Sequence, residues 1–208
     1  MRHALLPGML VLAAWTGTAH ASPQVYRIDP VHSAVVFNVD HNGFSRSFGR
    51  LRITDGTIRF DPDNWPASSV DATVDLSSVD MGDPDWDKAV RGSSLLDADR
   101  GRTARFTSDS VEKRSDEEGV VHGKLTLRGI TRPLDLPFRV NRVGKTIYGL
   151  HTTAGFSSNI VIDRTTFGMT SNTGSIGTPV SVWLEIEAIR GADAPASHDK
   201  DTPDAHAQ

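Results

Sequence analysis

The chain has 208 residues, 23% of them charged, a formal net charge of −4 at pH 7 and no cysteine. The missing cysteines exclude a disulfide framework and a lipid attached through an N-terminal cysteine, so core packing alone must hold the fold together. No basic cluster stands out along the chain, and nothing in it reads as a nucleic-acid footprint.

Met1, Arg2 and His3 make a short basic start, and Ala4 to Trp15 is apolar but too short to span a bilayer. Ala19-His20-Ala21 then presents small residues where signal peptidase reads, so residues 1–21 are expected to be a signal peptide and the mature chain to begin at Ser22. Loss of Arg2 takes the formal charge to −5. No later stretch approaches the ~20 apolar residues of a spanning helix, which implies no integral membrane segment in the mature chain. Residues 191–208 are rich in Ala, Asp, Pro and His without periodicity and are expected to be disordered. Residues 22–190 are left as one ordinary domain.

Within that domain the pattern is two-residue alternation. Val25 to Asp29 reads as a first strand, broken at Asp29-Pro30, and Ala34 to His41 as a second, ended by the turn signal Asn42-Gly43. Phe48 to Ile53 and Thr57 to Phe60 flank Asp55-Gly56 and are expected to form a hairpin. From Ser68 to Leu76, Val70, Ala72, Val74 and Leu76 share one face and Ser69, Asp71, Thr73 and Asp75 the other. Asp83 can cap a short helix that opens on Pro84, with Trp86, Ala89 and Val90 at helical spacing. Strands are expected again at Thr103 to Val111, Val120 to Leu127 and Leu134 to Val140, where Pro137 demands an edge or a bulge. Ile147 to Asp163 reads as one long strand or two bent ones, and Val180, Val182, Leu184, Ile186 and Ala188 form the last inward row. Strands with one dry and one wet face suit an antiparallel sheet. About eight of them close into a barrel that either fills with side chains or holds one small ligand.

Recognisable catalytic spacing is missing. His32, His41, His122 and His151 lie on separate strands without the spacing of a zinc site. Asp83 to Asp87 opens like a calcium loop, but Lys88 and Ser94 stand where glycine and glutamate are required. Gly155-Phe156-Ser157-Ser158-Asn159 lacks the last glycine of a nucleophile elbow, and adjacent strand residues His32 and Ser33 point to opposite faces.

Four segments carry a resemblance. YRIDPVHSAVVF at 26–37, RTARFTSDSV at 102–111, GKLTLRGITRP at 123–133 and IVIDRTTFGM at 160–169 together resemble the YceI-like family, exported bacterial lipocalin-like barrels that bind polyisoprenoids and related lipids. The likeness runs through nearly all of residues 25–190. Val90, Leu95 and Leu96 stand where the family carries His or Leu and aromatics, and Gly101-Arg102 replaces a tyrosine-proline pair, which removes aromatic bulk near the barrel mouth.

The resemblance implies an all-β, eight-stranded antiparallel lipocalin-like barrel with one or two short helices at its mouth. It also implies a periplasmic carrier or scavenger, not an enzyme, with no cofactor beyond a bound isoprenoid or other lipid. The partner would be a long-chain apolar small molecule: a polyisoprenoid, a quinone tail, or a fatty acid or amide. A homodimer is compatible with such a barrel. An interaction module regulating a membrane redox partner and a lipid-modifying enzyme are the alternative readings. The expected ligand wall begins with Phe37, Val39 and Leu51, then Val70, Ala72 and Val74. It continues through Phe106, Leu125, Leu127, Leu136 and Phe138 to Val180, Val182 and Leu184. A packed core with no ligand explains each of these positions equally well. Ala72, Ala104 and Gly123 are small inward residues expected to leave volume. Asp29, His32 and Arg164 are expected either at a ligand headgroup or in a buried polar network joining the N-terminal strand to the long strand.

Overall fold

A computed structural model describes residues 22–147 and 150–191. The expected signal peptide and nearly all of the expected tail lie outside them. The elements run β1 (Gln24–Ile28), β2 (Ala34–His41), β3 (Ser45–Phe60), a 3-10 turn at Trp65–Ala67, β4 (Ser69–Asp80), α1 (Pro84–Arg91), β5 (Thr103–Lys113), β6 (Glu118–Leu127), β7 (Ile130–Lys145), β8 (Thr152–Asp163), a second 3-10 turn at Arg164–Phe167 and β9 (Ile176–Arg190).

All pairings are antiparallel, and the order β3-β2-β9-β8-β7-β6-β5-β4 returns to β3, so the sheet closes on itself. β1 pairs with the end of β3 and the end of β9, while β2 pairs with the start of β3 and the rest of β9. The two therefore make one interrupted stave, and nine strands form an eight-staved barrel. Closure gives every stave a partner on both sides, so no strand presents an edge free along its whole length.

Several local expectations change. Asp55-Gly56 is not a hairpin: β3 runs straight through it, with a shift in pairing to β4 between Ile53 and Asp55. A Cβ at Gly56 would overlap the side chain of Ile28, so the glycine serves a bulge and a close approach, not a turn. The tight hairpin lies at Arg128-Gly129, where φ is +53° and +75° and Leu127 pairs with Ile130. Consequently β7 begins at Ile130 instead of Leu134. β8 begins only at Thr152, since Ile147 belongs to the connection after β7. β4 continues past Leu76 to Asp80.

The helix forms as its sequence demands. Asp83 accepts from the amides of Asp85 and Trp86 at 3.1 and 3.0 Å, and Pro84 occupies the first turn, where its missing N–H costs nothing. Because α1 follows β4 and the Trp65 turn precedes it, the two lie at opposite ends of the barrel. α1 and the Arg164 turn share one end, called the mouth below.

Candidate functional site

The barrel encloses a cavity of about 480 Å³ walled by aliphatic and aromatic side chains. All fourteen residues of the expected ligand wall border it. Alternation places them there from every strand except β1 and β8: Phe37 and Val39 from β2, Leu51 from β3, Val70, Ala72 and Val74 from β4, Phe106 from β5, Leu125 and Leu127 from β6, Leu136 and Phe138 from β7, and Val180, Val182 and Leu184 from β9.

Further lining residues escaped the sequence reading. Ile53 and Ile58 were hidden by the false hairpin. Ile160 and Ile162 sit in the run Ile160-Val161-Ile162, whose phase is ambiguous without a register; pairing with Val182 and Val180 resolves it and leaves Val161 outside.

The end opposite the mouth is closed by aromatic rings. Phe60 meets Trp65 and Phe156 edge-on at centroid distances of 5.6 and 5.4 Å, and Trp65 stacks on Phe138 at 5.4 Å. Such pairs add to simple area burial. Gly119 makes room for this floor, because a Cβ there would press on both Trp65 and Phe138. The same device corrects one expectation. Gly123 leaves no empty volume; the Phe106 ring occupies the space above it, as the Phe37 ring does over Gly49. Ala72 and Ala104 do border the cavity.

At the mouth α1 lies across the barrel, with Trp86, Ala89 and Val90 facing the cavity. Trp86 sits over His41 at 5.4 Å, and Asp40, His41 and Ser47 bring polar atoms to this end.

Asp29, His32 and Arg164 do not converge. Arg164 is 2% exposed at the mouth and gives its guanidinium to backbone carbonyls: Gly177 at 2.9 Å, Ser171 at 3.0 Å, Ile176 at 2.8 Å, and Met169. Burial lowers its pKa, opposed by the nearby Asp163 carboxylate. It ties the connection through Met169 and Ser171 to the first residues of β9.

Asp29 and His32 sit at the break between β1 and β2, away from the cavity. His32 Nδ1 lies 2.7 Å from Asp29 Oδ2, and the Val31 amide donates to Asp29 Oδ1 at 2.8 Å. Partial burial pushes Asp29 up, but the bonds from His32 and Val31 outweigh it and hold the carboxyl below its usual range. The same hydrogen bond and charge raise His32. Ser33, set aside in the sequence as a non-nucleophile, bridges the break: its hydroxyl donates to Glu187 O at 3.2 Å and accepts from Glu187 N at 3.1 Å. The network lies outside the cavity wall, and it joins β1–β2 to β9 instead of to the strand before Arg164.

A second histidine, His122, contacts Asp135 at 2.8 Å and Glu112 at 3.4 Å on the outer wall, facing away from the cavity. Among the described residues no group of His, Asp or Glu is arranged to hold a metal ion, and no helix is long and apolar enough to cross a membrane.

Known proteins share this architecture. A structure of Burkholderia cenocepacia BcnA superposes with a TM-score of 0.70 at 22% identity, covering 77% of this chain and 98% of that one. A structure described as a polyisoprenoid binding domain from Saccharophagus degradans, implicated in plant cell wall breakdown, superposes with a TM-score of 0.64 at 15% identity over 80% of this chain and 99% of that one. In sequence, a UPF0312 protein of Serratia proteamaculans is 31% identical over 188 residues, 89% of this chain and 95% of its own. Protein YceI of Salmonella arizonae is 33% identical over 177 residues, 84% of this chain and 91% of its own. The YceI-like domain matches residues 26–188, and with that span and those relatives the chain belongs to the YceI-like family.

Proposed function

We propose that this protein is an exported carrier or scavenger that holds one long apolar molecule in its barrel, without catalysing a reaction on it. The observation that carries this reading is the apolar cavity of about 480 Å³, which falls within the range of ligand sites, ~300–1,000 Å³. Filling it would remove apolar surface from water at about 25 cal/mol per Å². The aromatic floor favours a ligand that lies with its tail against the floor and any polar end near Asp40, His41 and Ser47 at the mouth. A polyisoprenoid chain, including a quinone tail, is the ligand class we favour, in keeping with the binding named for the Saccharophagus degradans domain; a fatty acid or amide fits the same wall.

Residues 1–21 would direct the chain to the periplasm and be removed. The test is a mass spectrum of organic extracts from protein purified without detergent. A single class of long-chain lipid, in near-equal molar ratio to protein, is the expected result. Protein free of extractable lipid that also fails to take up added polyprenol would overturn the reading in favour of a barrel with no cargo.

A further inference from the structure

The barrel wall is parted along the seam between β7 and β8. The β7–β8 ladder runs from Lys145↔Thr152 to Phe138↔Ser158 and stops there. Both strands continue: Ile130 to Pro137 remain paired to β6 only, and Asn159 to Asp163 to β9 only. At the end of the ladder the Ser158 hydroxyl donates to Pro137 O at 2.6 Å. At the far end, Ile130 reaches the backbone at Gly168, where a Cβ would lie 3.4 Å from its Cδ1. Between these two points lies a window in the side of the barrel.

The sequence keeps this window open. The amide of Val140 donates toward the β6 side, to Glu117 O at 2.7 Å. Amides alternate in direction along a strand, so positions 139, 137, 135 and 133 turn their nitrogens toward β8. Two of those positions are Pro133 and Pro137, which have no N–H to give. A continuous ladder across the seam therefore lacks two of the donors β7 would supply, and the free edge leaves fewer unsatisfied groups. The inward side chains on the two rims, Leu134 and Leu136 facing Ile160 and Ile162, all border the cavity and are only partly buried. Val161 adds an apolar group to the outer rim and is 64% exposed.

The geometry points to this window as a side portal through which the apolar chain enters and leaves the barrel. The floor is shut by aromatic rings and the mouth is crossed by α1. Sideways passage also spares a long chain from threading end-first between them. The portal rests on the carrier reading for its cargo, but its existence can be tested without one.

The chain contains no cysteine, so single thiols can be placed cleanly. Ile160 and Val182 are direct partners in the β8–β9 ladder, one on the rim and the next a strand away and buried. A polyethylene-glycol maleimide, too large to enter the cavity, should label Ile160→Cys roughly tenfold faster than Val182→Cys. Equal protection of both would show a sealed wall and sink the portal, whatever the barrel binds. In the second measurement, Asp135→Cys/Val161→Cys is bridged across the window by a short bis-maleimide. Uptake of N-phenylnaphthylamine should then slow roughly tenfold while the final amount bound is kept. Unchanged uptake after bridging would also overturn the portal. Wild-type protein that takes up no dye would count against the carrier reading alone, with the thiol comparison still deciding the window.

Discussion

Position 72 carries a methyl group where its same-face neighbours Val70 and Val74 carry larger side chains, and it borders the cavity between Gly56 and Phe106. Ala72→Trp would place a ring in that space. The expected outcome is a sharp fall in co-purified lipid with a stability loss of about 1–3 kcal/mol, read from lipid extracts and urea midpoints. Unfolding of the variant together with lipid-free wild type would mean that the interior is filled. Arg164 responds differently, because its bonds are all to backbone. Arg164→Met would strand the carbonyls of Met169, Ser171, Ile176 and Gly177 and should cost roughly 2–4 kcal/mol in urea denaturation. Lipid content per folded molecule should hold, since the guanidinium is already committed. The arginine's importance was legible in its motif, but its role was not: a sequence names the donor and cannot show that the acceptors are carbonyls of the next connection and of the start of β9, five to thirteen residues on.

Among elements, the interrupted stave is the most informative. Alternation revealed β2 and the inward rows of β4, β6 and β9 because a half-buried strand must repeat every two residues. It failed where the signal is local but the cause is not. Asp55-Gly56 reads as a turn in isolation, yet Ile28, from a strand far away in sequence, is what excludes a side chain at Gly56. The β1–β2 break is held by Asp29, His32 and Ser33, and the pH dependence follows from the two shifts. The raised pKa of His32 makes its contribution complete below the ordinary histidine value and lost as pH rises through the raised one. The lowered pKa of Asp29 makes its contribution complete above the ordinary carboxylate value and lost as pH falls through the lowered one. The pair should therefore support the break between roughly pH 4 and 6.5. Because His32 is largely exposed, His32→Ala should cost less than about 1 kcal/mol within that window. In a series of urea midpoints against pH, the gap between wild type and variant should shrink at both ends. A gap that is constant with pH would assign the effect to packing instead of charge. Ser33 carries no such dependence.

At the scale of the whole molecule, maturation sets the compartment. If the leader is removed as proposed, intact mass of exported protein will begin at Ser22; a chain retaining residues 1–15 would place it elsewhere. The absence of disulfides leaves closure of the ring to strand pairing, and that closure depends on β9, which pairs with β1, β2 and β8 alike. Its contacts reach across almost the full domain, as in Arg27↔Ile189. Such long-range pairing makes folding slow relative to helical proteins of the same size. It also sets an order in time. A chain delivered from its N-terminus cannot form the ring until residue 190 has arrived, because before then the β1–β2 stave and β8, the seventh, have nothing between them. The last strand made is the keystone, and until it is in place the ring ahead of it stays open.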